Sequence, residues 1–391
     1  MSGTAWTVRL AIVNSIGFSA TTIMPLWIAA LPSTLGLPAW QIGLVATAQL
    51  IACGLFNVAS PWLFGRLPPL IVARFTLIVA TVAGLLQATA LTAASLPAFA
   101  AAALVSGAVL GVLLGMTNRI MAGVSHVQKG YAVFQIVEVC FASALYLGSA
   151  GLLDRLGPQA IFVLMAITGA GGVAALHGLA APRSGDGHAP LVEVDRPRFL
   201  HGALLLIAML CFFSGQSSIN SFVIQIGHDI GLDAASVAQI VGTGMICALA
   251  GAAAARLMGE RFGTTVPIVV VALLLAADFL FLTRSPSPTG FALGVGFIPL
   301  GTIMAVPFFF TALARVDARG RFAAVGPAFL LGGVALGPLI STALDGAIGR
   351  VALGVVAGSL MTVAGLLAFA HRRRKPTVPA SRQSIAAFGP E

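Results

Sequence analysis

The chain has 391 residues, of which 58% are hydrophobic and only 8% charged, and it carries a formal charge of +9. An ordinary soluble domain is about 25% charged, so this composition excludes one. It also argues against nucleic-acid binding, because the basic residues lie in short loops and a tail rather than along one polar face. Apolar runs of at least about 18 residues recur from end to end, each long enough to cross a hydrocarbon core of roughly 30 Å as a helix. Lipid offers no partner to an open sheet edge, so the spans are helices.

Twelve spans are predicted, over about 8–31, 40–63, 70–92, 97–118, 130–151, 159–180, 200–227, 235–258, 265–283, 290–313, 323–342 and 350–370. The first apolar run, Leu10 to Leu31, exceeds the roughly 7–15 residues of a signal-peptide core and counts as a span. The expectation is an all-α integral membrane protein whose partners include the lipid bilayer. Its four cysteines, Cys53, Cys140, Cys211 and Cys247, fall inside apolar segments without CxxC or Cys/His spacing. They read as small hydrophobes, and no metal site or cofactor is expected.

With the N-terminus in the cytoplasm, all of the 21 Lys and Arg except Arg155, Arg284 and Arg350 fall on the cytoplasmic side or at its edge. The positive-inside rule then places both termini in the cytoplasm of a cell whose inner (plasma) membrane holds the chain. The longest loop, APRSGDGHAPLVEVDRPRF over 181–199, divides six spans from six. It predicts bundles at 1–180 and 200–371, a linker at 181–199 and a tail at 372–391. An internal repeat supports the division. LGLPAWQIGLV (35–45) recurs as IGLDAASVAQIV (230–241) and GRLP (65–68) as ERFG (260–263), with Gly36 to Gly231 and Arg66 to Arg261 both shifts of 195 residues. Parallel six-helix repeats are a transporter architecture.

On these features the chain resembles the major facilitator superfamily over essentially its whole length. The resemblance implies twelve transmembrane helices in two six-helix bundles. That family carries Gly-x-x-x-Asp-Arg-x-Gly-Arg between its second and third helices, with a weaker copy between the eighth and ninth. Here the second copy reads GERFG, with Glu260 and Arg261 at the acid and arginine, whereas the first, PWLFGRLPP, keeps Arg66 but has Gly65 at the acid. The resemblance assigns gating to Arg66, Glu260 and Arg261. Antiporters of the family carry an arginine early in the fourth helix and a Gly-Pro pair in the fifth. This chain has neither, and its Gly337-Pro338 pair in the eleventh span marks a kink or close packing.

The resemblance further implies that spans 1, 4, 7 and 10 line a central cavity. Span 7, CFFSGQSSINSFVIQIG, is the most polar; Ser214, Ser217, Ser218, Ser221 and Gln225 fall on one face, with Gln216 and Asn220 beside it. In hydrocarbon such groups need water, solute or another helix. Gln216, Asn220, Ser217 and Gln225 are therefore candidate solute-binding residues, joined by a milder stripe of Asn14 or Ser15, Ser19 and Thr22 on span 1. Glu138 stands alone in the apolar run FQIVEVCFASALY of span 5. A charge in hydrocarbon is costly enough to mark a functional group, and Glu138 is the candidate proton-coupling residue. Gln135 and Tyr146, taken to share its face, are candidates to hold it or a solute. Asp278, in span 9, reads as structural and paired near Arg284.

No Lys or Arg lies near the middle of any span, so a neutral or zwitterionic small solute is favoured over an anion. No phosphate loop of the G-x-x-x-x-G-K-[ST] type occurs. The expectation is a monomeric secondary active transporter, not an enzyme, moving a small organic solute by alternating access with protons as coupling partner. Efflux of drugs or hydrophobic metabolites is the alternative transport reading. A transporter-like receptor that moves nothing is the alternative of another class.

Overall fold

The computed structural model describes residues 3–64, 66–122, 127–179, 196–258, 261–284, 287–316, 321–345 and 349–373. Its helices are α1 (Gly3–Gly17), α2 (Ser19–Thr22), α3 (Met24–Leu35), α4 (Ala39–Leu63), α5 (Pro69–Thr92), α6 (Leu96–Ala122), α7 (Val127–Leu156) and α8 (Gln159–Leu176), followed by α9 (Arg196–Asp229), α10 (Ala234–Gly244), α11 (Cys247–Met258), α12 (Thr265–Leu282), α13 (Pro288–Val316), α14 (Arg321–Asp345) and α15 (Arg350–Arg373). No strand occurs among the described residues. Every predicted span is present as a helix or a broken helix. Ten are long and apolar enough to cross a membrane, and Met24–Leu35 and Val133–Ser149 are the shorter apolar helices of the first and fifth spans.

Two spans are interrupted. The first breaks into α1, α2 and α3 ahead of Pro25, whose ring nitrogen has no hydrogen to donate; the hydroxyls of Ser19, Thr21 and Thr22 bond back to Ile16 and Phe18 carbonyls. The eighth breaks between α10 and α11, where Ile246, Ala248 and Leu249 donate to carbonyls three residues back, a tightened 3₁₀-like turn. Several predicted span ends shift, as at Gly3 of α1, Ala122 of α6 and Leu156 of α7. Helix α9 starts at Arg196 with Pro197 in its first turn, where a missing N–H costs nothing, so it takes up 196–199 of the expected linker; α15 runs on to Arg373.

The repeat seen in sequence is repeated in backbone. Gly36 ends α3 with φ +63° and Gly231 follows α9 with φ +84°, a left-handed conformation that other residues adopt only with strain. Leu37 and Leu232 then close the same kind of turn, donating to Pro32 O and Gly227 O, five residues back in each case.

Close helix approach is made by glycine. On α6, Gly107, Gly111 and Gly115 face α4 so tightly that a Cβ at Gly107 or Gly111 would lie 2.1 Å from the carbonyl oxygen of Gln49 or Cys53. The corresponding pair in the second half, α11 with α13, meets at Gly251, where a Cβ would lie 2.1 Å from Leu300 O. Aromatic clusters fill each bundle: Trp27, Phe99 and Phe162 in the first, with ring centroids 5.2–6.3 Å apart, and Phe212, Phe213 and Phe309 in the second, at 5.4 Å.

Among the described residues the bundles meet chiefly along three seams: α4 with α14, α7 with α10, and α3 with α9. Helix α7 packs broadly on α10 and only slightly on α11, which puts that seam in the half of the molecule away from the termini. The α4–α14 seam runs from Gly43 against Thr342 down to Gly54 against Leu331.

Candidate functional site

Glu138 sits near the middle of the apolar core of α7. The exposed residues of that core, Ile136, Cys140, Ala144, Leu147 and Gly148, form one stripe at helical spacing and mark the lipid side. At about 100° per residue Glu138 points nearly opposite that stripe, yet it remains half-buried. It therefore faces the other helices rather than lipid, with part of its surface left uncovered. Glu138 also lies on the terminal side of the α7–α10 seam, where contact with the second bundle has thinned out.

The expected partners of Glu138 are not assembled around it. Tyr146 is eight residues on, about 80° further round the helix; it is fully buried against Gly242 of α10, with its hydroxyl unpartnered. It belongs to the bundle seam, a correction to its placement on the carboxylate's face. Gln135 is half-buried on a neighbouring face.

Helix α9 divides its polar residues into two sets. Ser214, Ser218 and Ser221 donate to carbonyls four residues back on their own helix, at 2.7–2.8 Å. Ser217 instead donates to Val334 O of α14 at 2.8 Å. These serines are buried and their donors are committed to packing, so the hydroxyl of Ser217 is not free to donate to a solute. Gln225 follows the serine side: nine residues from Gln216, it lies about 180° away, with Oε1 buried and unpartnered. Gln216 and Asn220 are half-buried on the side opposite the exposed Leu200 and Ile207. Like Glu138, they point inward and keep access.

The first-span stripe is taken up by packing. Asn14 Oδ1 accepts from Thr117 of α6 at 2.8 Å, Ser15 and Ser19 donate to Ala11 O and Ile16 O of α1, and only Thr22 of the four stays half-buried. Arg66 and Arg261 are exposed in the turns after α4 and α11, while Glu260 lies outside the described residues. Asp278 is not paired with Arg284. Its Oδ2 is buried without a partner, and its other oxygen lies where a Cβ on Gly294 would be 2.9 Å away.

Arginine ties were not anticipated. Arg9 Nε and Arg74 Nη2 donate to Ala175 O and Leu176 O at 2.8 and 2.9 Å, and Arg9 Nη2 donates also to His177 O. Together they cover the C-terminal carbonyls of α8, which have no helical donor of their own. Arg350 pairs with Asp229 and donates to Gln225 O, tying the end of α9 to the start of α15. A signal existed in sequence only as basic residues near span ends.

Grooves on the outer surface, about 550 Å³ between α5 and α6 and about 360 Å³ among α10, α11 and α13, contain none of Glu138, Gln216 or Asn220. Among the described residues, the carboxylate of Glu138 on α7 of the first bundle and the amides of Gln216 and Asn220 on α9 of the second thus face inward with part of their surface uncovered.

A family model described as Major Facilitator Superfamily matches residues 10–326. None of the curated proteins matches. Similar solved structures include a D-xylose-proton symporter, 14% identical, covering 94% of this chain and 96% of that one, with a TM-score of 0.75. A POT family transporter in complex with a thioalcohol-conjugated peptide is 11% identical, over 95% and 96% of the two chains, at 0.76. The transporter FucP in its outward conformation is 16% identical, over 95% and 100%, at 0.61. At such identities the likeness is one of fold.

Proposed function

The chain belongs to the Major Facilitator Superfamily, and from that premise we propose that this multi-pass membrane transporter works by alternating access. In this reading α1–α8 and α9–α15 are the moving bundles, and a small neutral or zwitterionic organic solute moves together with a proton carried on Glu138. The observation that carries it is the direction of Glu138: away from lipid, half-buried, and beyond the α7–α10 seam.

A lone carboxyl in that position holds a proton while the cavity is dry and releases it when water enters, so a change of access becomes a change of protonation. Gln216 and Asn220 offer paired donors and acceptors without charge, which suits hydroxyls, amides or a zwitterion better than a phosphate. Two of the similar structures are a sugar-proton symporter and a transporter holding a peptide conjugate, and both solutes fit that chemistry. The basic residues of the loops support a reading in which both termini lie in the cytoplasm of an inner-membrane protein. Because contact between the bundles is concentrated away from the termini, the cavity opens toward the cytoplasm.

The test is reconstitution into vesicles loaded with a pH-sensitive dye, with monosaccharides, nucleosides and dipeptides added in turn. A solute that is carried should move protons with it in the unmodified chain, and Glu138→Gln should abolish the proton signal while retaining solute counterflow. Gradient-driven accumulation that survives Glu138→Gln removes the coupling assignment.

A further inference from the structure

Pro338 lies inside α14. Proline has no N–H, so the carbonyl four residues earlier, Val334 O, loses its helical donor. In hydrocarbon that loss must be made good locally, and a hydroxyl from a neighbouring helix is one of the few available means. Ser217 of α9 supplies it, donating from Oγ to Val334 O at 2.8 Å. The approach is possible because residue 337 is glycine. A Cβ there would lie 2.3 Å from Ser217 Oγ and 2.4 Å from its Cβ.

The same proline touches the bundle seam from its other side. Pro338 O accepts from Thr342 Oγ1 at 2.7 Å, and Thr342 fills the space left by Gly43 of α4, where a Cβ would lie 2.0 Å from that hydroxyl oxygen. One bond thus links the helix bearing Gln216 and Asn220 to the proline-bearing helix that carries the α4–α14 seam. Of the four serines on this part of α9, Ser217 is the one whose donor leaves its own helix.

We propose that Ser217 is a positioning residue: by standing in for the amide that Pro338 lacks, it holds α14 in place against α9 and with it the meeting of α4 and α14 between the bundles. The relevance to transport rests on the reading above, but the test needs no solute, so each can fail without the other.

The probe is a cysteine pair across the seam. A Cβ at position 54 would lie 3.5 Å from Leu331 Cβ, within disulfide range, so Gly54→Cys with Leu331→Cys reports seam closure by its oxidation rate. The background is the full chain with Cys53, Cys140, Cys211 and Cys247 replaced by alanine, in vesicles. Ser217→Ala is introduced with and without Pro338→Ala, which restores an N–H to Val334 O from within α14.

With proline present, Ser217→Ala should lower the melting temperature and slow cross-linking about fivefold, the population change that one buried hydrogen bond is worth. With Pro338→Ala, the same substitution should leave both unchanged. Three results overturn the proposal: a melting shift with no slowing of cross-linking, which a merely structural bond would give; a faster cross-linking rate; or equal effects of Ser217→Ala in both backgrounds.

Discussion

The two bundles share a backbone plan but are tied at opposite ends. In the first, Arg9 and Arg74 reach from α1 and α5 to close the C-terminus of α8 at the end near the chain termini. In the second, Arg350 ties α15 to the end of α9 at the far end. Positions 204 and 269, a shift of 195 from Arg9 and Arg74, are Leu204 and Val269, so the tie is absent from the repeat. What the halves do share is the close approach of their second and fourth spans, made by glycine on α6 in one and on α11 in the other. Packing distance is the inherited feature of the repeat, and the polar ties are particular to each half.

The largest effect should come from breaking what is shared. Gly111→Leu and Gly251→Leu each place a side chain against a backbone carbonyl, which cannot swing aside as a side chain can. Overpacking ordinarily costs about 1–3 kcal/mol, and both variants should exceed that and lose the monodisperse peak on size exclusion. Gly148→Leu, with nothing within 4 Å of its Cβ, should keep it. If Gly251→Leu is tolerated while Gly111→Leu is not, the packing symmetry is broken.

Smaller effects should separate the halves. Arg74→Leu removes a charged donor from Leu176 O in a half-buried site, worth about 1 kcal/mol after allowance for solvent. Hydrogen exchange should rise at the amides just after that carbonyl and at the end of α8, with α9 unchanged. Arg350→Gln should do the reverse, raising exchange at the end of α9 and sparing α8. Its ion pair is 25% and 45% exposed, so about 0.5 kcal/mol is expected. Exchange that rises in both halves for either variant would mean that the ties are not local.

The smallest effect concerns the cap of α10. Asp233 accepts from the Ser236 N–H at 2.8 Å, and hydrogen bonding from Ser236 holds its carboxyl below the usual range. A depressed folded pKa contributes stability that is complete above the unfolded value, about 4, and is lost as pH falls through the folded one. Asp233→Ala should therefore melt slightly below the unmodified chain at pH 7 and level with it in strong acid. A difference that persists in strong acid would assign the effect to something other than this cap.

Much of the fold was readable because lipid leaves few choices. A span must be apolar, helical and of bilayer length, so composition alone located all twelve, and the glycines of the repeat located equivalent turns. Glu138 was readable for the same reason, since a carboxylate in hydrocarbon stands out. Spacing grouped the serines of α9 correctly as one face, but it did not tell a face that packs from one that looks into a cavity. Gln216 and Asn220 separated from Ser217 only once α14 was in place. Tyr146 was misassigned because eight residues is not a whole number of turns, and the 80° left over carries it into the seam.

By itself, then, the sequence determined which segments lie in the membrane, that they fall into two related halves, and that two carboxylates, Glu138 and Asp278, stand within spans, because each follows from local hydropathy and spacing. Only the tertiary structure decided which polar groups are satisfied and which stay available. A hydroxyl or guanidinium can be spent on any carbonyl left without a donor, whether by Pro338 in α14 or by the end of α8. Which carbonyl lies within 3 Å is set by how helices distant in sequence approach each other.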